Sequence, residues 1–212
     1  MIIAIDGPSA AGKSTLAKLL AKELGVDYID TGAMYRAVAF KVIQSGIDAS
    51  DEKTLDGLLE RTNIDLAGAH VLLDDEDVSC LIRTEEISMH ASRISAIPAV
   101  RQKLVMLQRE IGARKSVVMD GRDIGSNVFP EADRKFFITA SPEVRAERRY
   151  KELAQKGEEV SFEEVLADVK KRDWDDSHRE LNPLVQTEDA ILIVTDGLGV
   201  KEVLDITLNY LQ

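Results

Sequence analysis

Cysteine is almost missing from this sequence: Cys80 is the one thiol in 212 residues. That excludes an internal disulfide and any thiolate metal cluster, and it fits a reducing compartment. Positive charge is also short. With 27 Lys and Arg against 38 Asp and Glu, the formal net charge is −11, which argues against an extended nucleic-acid or anionic-membrane footprint, because such surfaces are basic. Local arginine clusters can still bind phosphates. No long apolar span is present, and the N-terminus runs into the first strand with no signal-peptide pattern, so the expectation is a cytoplasmic protein. Repeats and low-complexity linkers are absent too, and the length suits one compact domain with inserted subregions.

What is present starts at residue 2. Ile2 to Ile5 is a short apolar run, the pattern of a strand covered on both faces. Gly7-Pro8-Ser9-Ala10-Ala11-Gly12-Lys13-Ser14 follows and fits the phosphate-loop spacing, in which glycines let backbone N–H groups turn toward triphosphate oxygens. Leu16, Leu19, Leu20 and Leu24 then fall at helical spacing, with Gly25 as the C-terminal cap, so the loop ends on an anion-favouring helix N-terminus. Lys13 offers an ammonium for bridging and terminal phosphates, and Ser14 a hydroxyl ligand for Mg²⁺. Thr15 lies next to the motif's hydroxyl without being it.

Further along, Val26 to Asp30 reads as a second strand, Thr31-Gly32 as a turn, and Met34 to Gln44 as a helix carrying Arg36. Alternation of this kind predicts a parallel sheet with helices on both faces. Thr31 and Arg36 have a plain alternative as a capping threonine and a solvated arginine. Asp48 to Glu60 reads as an acidic surface helix. Ile64, Leu66, Val71 and Leu73 flank Ala67-Gly68-Ala69 as in a hairpin, and Asp65-Leu66-Ala67-Gly68 reads as a turn. A helix is expected from Val100 to Ile111, stopped by Gly112. Ser116 to Asp120 is a buried strand ending in a carboxylate, where doubly wound sheets place ligand-facing groups, and Gly121-Arg122-Asp123 follows; a structural ion pair is the competing account. Lys135 to Thr139 is the fourth strand. Ser141-Pro142 opens a helix bearing Arg145, Arg148 and Arg149 on one face, repulsive unless an anion lies between them or unless Glu147 and Lys151 make it a salt-laced surface. Phe162 to Trp174 is the next helix, Asp173 to Asp176 a mobile charged segment between Arg172 and Arg179, Ala190 to Thr195 the last strand, and Val200 to Leu211 the closing helix.

Five stretches, GPSAAGKST (7–15), YIDTGAMYR (28–36), DGRDIGSNVFP (120–130), RAERR (145–149) and RDWDDSHRELNPL (172–184), together resemble the bacterial cytidylate kinase family over essentially the whole chain. The chain differs from adenylate kinases in having Arg122-Asp123 after Asp-Gly, and from shikimate kinases in the hairpin insert. Ser126-Asn127 replaces a threonine-led pair. The resemblance implies a P-loop three-layer α/β/α fold with a five-stranded parallel sheet, a small antiparallel β insert and a helical lid. It implies one kinase domain over 1–212: a core (about 1–30, 101–145 and 181–212), an acceptor-binding region (about 31–100) and a lid (about 146–180).

By that resemblance ATP is held by residues 7–15 and by Arg148 of the lid. The acceptor phosphate is held by Thr31, Arg36, Arg122 and Arg179, cytosine by Ser92, Arg101 and Asp123, and the sugar by Arg172 and Asp176, with Asp120 in the same acceptor set. The implied reaction moves a phosphoryl group from ATP to CMP or dCMP with Mg²⁺, with Lys13, Arg122, Arg148 and Arg179 as the catalytic cations and Ser14 as the metal ligand. A monomer is expected, with no nucleic-acid polymer or membrane partner. The competing readings are a P-loop kinase for another small acceptor and an ATP-switched binding module.

Overall fold

The structure is a computed structural model that describes residues 1–67 and 70–211. In chain order the elements are β1 (Ile2–Asp6), α1 (Lys13–Leu24), β2 (Asp27–Asp30), α2 (Thr31–Ser45), α3 (Glu52–Glu60), β3 (Ile64–Ala67), β4 (His70–Leu73), β5 (Glu76–Asp77) and α4 (Glu85–Ile94). Then come α5 (Pro98–Arg114), β6 (Val117–Gly121), β7 (Arg134–Thr139), α6 (Pro142–Gln155), α7 (Phe162–His178), β8 (Ile191–Val194) and α8 (Val200–Asn209). The chain divides into two compact units, one of Met1–Tyr28 with Ser116–Gln212 and the other of Ile29–Lys115.

The larger sheet has the order β2-β6-β1-β7-β8, parallel at each of β1–β6, β1–β7 and β7–β8. β1 is central, and Ile3, Ala4 and Ile5 are fully buried, which is why its sequence is a continuous apolar run rather than an alternation. Ile3, Ile5, Val118, Phe136 and Ile138 pack with Leu16, Ala17 and Leu20 of α1 and Val203 of α8 in one core. Register positions the chemistry: Ile5 pairs with Asp120 and Asp6 with Gly121, so the carboxylate ending β6 lies level with the start of the phosphate loop. α6 and α7 have a small core of their own, Ala146, Leu153, Val165 and Val169.

In the second unit β3, β4 and β5 form an antiparallel sheet, the expected hairpin insert with one further short strand. Its expected turn at Gly68 and Ala69 lies outside the described residues. Asp65, Leu66 and Ala67, expected in a turn, are instead strand residues paired with Leu72, Val71 and His70.

Three other local expectations change. Thr31-Gly32 is the first turn of α2, because the Asp30 side chain accepts from the Ala33 N–H at 2.8 Å and caps the helix one residue earlier. Gly112 does not stop α5, which runs on to Arg114; an interior glycine costs only about 1 kcal/mol. The segment Asp173 to Asp176 is helical, since α7 continues to His178.

Gly7 sits where β1 gives way to the loop, with φ 146°, and a Cβ there would lie 1.9 Å from the Ile138 carbonyl oxygen on β7. Because that obstacle is backbone in a sheet, it has no room to move. Gly7→Ala is expected to lower unfolding free energy by roughly 3 kcal/mol, read from urea midpoints, whereas Gly12→Ala, with nothing within 4 Å of its Cβ, is expected to cost less.

Candidate active site

The phosphate loop is shaped by its carbonyls. The Ser9 carbonyl accepts from Arg145 Nη1 at 3.2 Å, and the Ala11 carbonyl from Thr195 Oγ1 at 3.3 Å and Arg148 Nη1 at 3.4 Å. Ala10 (φ 58°) and Gly12 (φ 96°) take left-handed backbone, and turns with such residues are the kind that build anion nests. α1 begins at Lys13 behind Gly12, whose φ is 96°, adding the helix's positive end. Lys13 is buried, and its Nζ donates to the Pro8 carbonyl at 2.6 Å. Burial first, and then the repulsion of Arg122, bring its pKa down to about 7, against the pull of Asp120, Asp176 and Asp6. A lysine poised there gains its full charge when a polyanion arrives.

Ser14 Oγ donates to Asp120 Oδ2 at 2.8 Å, and Tyr28 Oη donates to Asp120 Oδ1 at 2.8 Å. Asp120, expected with the acceptor residues, is thus bonded to the loop. Two residues on, Arg122 Nε donates to Asp176 Oδ2 at 2.7 Å. Burial opposes both charges, but their mutual attraction prevails: Arg122 is held above and Asp176 below the ordinary value. Arg172, one turn earlier on α7, adds to the pull on Asp176. Asp123 is buried; its Oδ1 accepts from Arg179 Nη2 at 3.3 Å and its Oδ2 from Asn127 Nδ2 at 3.0 Å. Arg179 Nε also donates to the Asn182 carbonyl at 2.7 Å.

The three arginines of α6 have separate partners. Arg145 is buried and grips Asp173 of α7 with both terminal nitrogens, at 2.8 and 2.5 Å. Arg148 donates to Thr195 Oγ1 at 3.0 Å and to the Thr195 carbonyl at 2.9 Å. Arg149 pairs with Glu152 at 3.0 Å. Ionic and hydrogen-bonding partners remove most of the repulsion that their spacing implies.

In the second unit Thr31 is buried at the start of α2, and Arg36 donates to the capping Asp30 at 3.1 Å. Arg101 is buried, donates to the Ser95 carbonyl at 3.1 Å and lies 5.8 Å from the Tyr35 ring centroid. Ser95 Oγ in turn donates to the Ser92 carbonyl at 2.7 Å, so Ser92 and Arg101 are joined through a serine that the sequence reading passed over.

The family model described as cytidylate kinase matches residues 3–212. The chain belongs to the cytidylate kinase family. It is 50% identical over 205 residues to a cytidylate kinase of Clostridioides difficile, covering 97% of this chain and 95% of the relative. It is 55% identical over 203 residues to one of Caldanaerobacter subterraneus, covering 96% and 91%. Two solved structures share the fold: an uncharacterized protein of Eubacterium ventriosum (15% identity, TM-score 0.53, 99% of this chain and 97% of that one) and a shikimate kinase of Bacteroides thetaiotaomicron (13% identity, TM-score 0.50, 100% of this chain and 98% of that one). The fold is therefore the expected P-loop three-layer α/β/α with a five-stranded sheet.

Sequence reasoning missed Asp6, Tyr28, Asn127, Asp173 and Thr195. Asp6 carried a usable signal, a carboxylate at the end of a buried strand, where a charge needs partners. It accepts from the Ile124 and Gly125 N–H groups at 2.8 and 2.7 Å, and burial raises its pKa to about 6 despite those bonds. The donor set of Ser14 hydroxyl and Asp120 carboxylate suits Mg²⁺, a hard cation that takes oxygen ligands and keeps phosphates and waters in its shell. Among the described residues no three His, Cys, Asp or Glu side chains form a cage, and a phosphate-borne Mg²⁺ needs none.

Because unliganded Lys13 loses its proton as pH rises through about 7 and a bound triphosphate restores it, nucleotide binding is expected to take up protons above pH 7, approaching one near pH 8.5 and fading below pH 6.5. Calorimetry in buffers of different ionisation enthalpy measures this, and Lys13→Met is expected to abolish the uptake.

Proposed function

We propose that this chain transfers the γ-phosphoryl group of ATP to CMP or dCMP, yielding ADP and CDP or dCDP. One observation supports it above the others: a single strand end carries Asp120, bonded to Ser14 of the phosphate loop at 2.8 Å, and, two residues later, Arg122, whose charge is balanced by Asp176 at 2.7 Å. Donor-side and acceptor-side groups thus share one short piece of backbone in the first unit, as direct transfer between two phosphates requires.

Within this reading residues 7–15, with Lys13, hold the triphosphate. Bound Mg²⁺ supplies charge neutralisation on the phosphates, with Ser14 and Asp120 as its protein-side oxygens. Arg122 and Arg179 receive the acceptor phosphate, which competes with Asp176 and Asp123 for them, so the guanidiniums are aligned before substrate arrives. The family resemblance also assigns Thr31 and Arg36 to acceptor phosphate. Arg101 and Ser92 meet the base's O2 and N3 acceptors, Asp123 its amino donor, and Arg172 and Asp176 the sugar. Uracil would turn its O4 acceptor toward Asp123, leaving the carboxylate unsatisfied. No side chain has to act as a base, because a phosphate monoester with a second pKa near 6 is already largely ionised at neutral pH. Catalysis then comes from alignment and from neutralising the charge that spreads over the transferred group, the task of Lys13, Arg122, Arg148 and Arg179.

We assign the acceptor-binding role to about 31–100, the lid role to about 146–180 and the core to the remainder. In the lid Arg148 would exchange Thr195 for nucleotide phosphate, limiting water and wasteful hydrolysis. No helix among the described residues is long and apolar enough to cross a membrane; the acidic balance and near-absence of cysteine favour a cytoplasmic monomer.

Coupled measurement of ADP release with CMP, dCMP, UMP, AMP and GMP tests the assignment. CMP and dCMP are expected to be the best acceptors, and Asp123→Ala is expected to cut the CMP-over-UMP preference in kcat/KM by about 100-fold or more. Preference for another acceptor would sink the substrate assignment, and ATP binding without acceptor-dependent turnover would favour a nucleotide-operated binding module.

A further inference from the structure

After Asp123 the chain does not enter an ordinary helix. Residues Ile124–Val128 form one wide turn, closed by the Val128 N–H on the Asp123 carbonyl at 3.1 Å and the Phe129 N–H on the Ile124 carbonyl at 2.7 Å. Such five-residue turns are rare and concentrate at functional positions. This one is held at both ends. At its start, the two oxygens of buried Asp6 accept separately from the Ile124 N–H (2.8 Å) and the Gly125 N–H (2.7 Å). Space beside Gly125 is tight, since a Cβ would lie 3.0 Å from Lys135 Cδ and 3.4 Å from Asp6 Oδ2. Farther along, the turn brings Asn127 back so that its Nδ2 donates to Asp123 Oδ2 at 3.0 Å, while the Asn127 N–H donates to the Asp123 carbonyl, also at 3.0 Å.

We propose that Asn127 and Asp6 are positioning residues for base selection, Asn127 by fixing one oxygen of the Asp123 carboxylate and Asp6 by clamping the two amides that follow it. The inference rests on the reading of Asp123 as the group that accepts from the cytosine amino hydrogen. With Oδ2 occupied by Asn127, rotation about the carboxylate bond is restrained. Oδ1, now shared with Arg179 at 3.3 Å, is the oxygen offered to the base once Arg179 turns to phosphate. Neither Asn127 nor Asp6 touches the base in this account. A misplaced acceptor would weaken the bond to cytosine and also relax the penalty against uracil, so the signature is a loss of discrimination rather than a uniform loss of rate.

The CMP-over-UMP ratio of kcat/KM is the readout, because the two acceptors carry the same phosphate and its ionisation cancels. Asn127→Leu, which keeps the bulk and removes the donor, is expected to lower that ratio about 10-fold, mainly through a higher KM for CMP. Asn127→Gln, which keeps an amide donor, is expected to recover part of the loss, and the dissociation constant for ATP is expected to stay within about two-fold throughout. Asp6→Asn, which leaves one oxygen for two N–H donors, is expected to lower the ratio as well; if it does not fold, the Asn127 pair decides. An unchanged ratio in Asn127→Leu, with Asp123→Ala collapsing it, overturns the positioning role and leaves the base-reading assignment standing. An unchanged ratio in Asp123→Ala removes that assignment and the inference with it.

Discussion

The bond from Ser14 Oγ to Asp120 Oδ2, at 2.8 Å, joins parts of the chain 106 residues apart and fixes what lies on either side of it. Ser14 is anchored in the first turn of α1, so the phosphate loop cannot shift relative to that carboxylate. Asp120 is anchored in β6, whose parallel pairing with β1 sets Ile5 opposite Asp120. A one-residue slip of that register would turn the carboxylate to the other face of the sheet. The apolar packing of the central strand is therefore what aims the polar groups, and everything after Asp120, including Arg122 and Asp123, inherits its position from the same register.

Charge is handled by pairing within the site. Arg122 with Asp176 and Arg179 with Asp123 are half-buried or buried ion pairs, and an isolated guanidinium or carboxylate in those surroundings would suffer a desolvation penalty larger than any surface contact could offset. Pairing keeps the four groups in place and near neutrality. Lys13 is the exception: its Nζ donates to the Pro8 carbonyl at 2.6 Å, and burial, more than any other cause, lowers its pKa to about 7.

Legibility differed by scale. The loop at 7–14 was readable because every feature it needs, from glycine at the tight approach of Gly7 to the ammonium of Lys13, lies within eight consecutive residues. Strand and helix alternation gave the parallel sheet for a similarly local reason. Helix ends were read less well: Asp30 caps α2 before Thr31, and α5 passes through Gly112, because packing of a helix face outweighs about 1 kcal/mol of local propensity. The five-residue turn after Asp123 had no sequence signal at all. Its shape depends on Asp6, 118 residues away from Ile124, and on the space left beside Lys135.

By itself, then, the amino-acid order determined which groups are available: one anion-binding loop, a set of arginines and a set of aspartates in the order that the family shares. Only the folded chain decided who meets whom. Arg145 goes to Asp173 and Ser9, Arg148 to Thr195, Arg149 to a neighbour on its own helix, although all three sit within five residues of one another. A residue's backbone conformation is set largely by its covalent neighbours, whereas the partner of a long charged side chain is set by strand register and helix packing, which bring together atoms that the sequence keeps far apart.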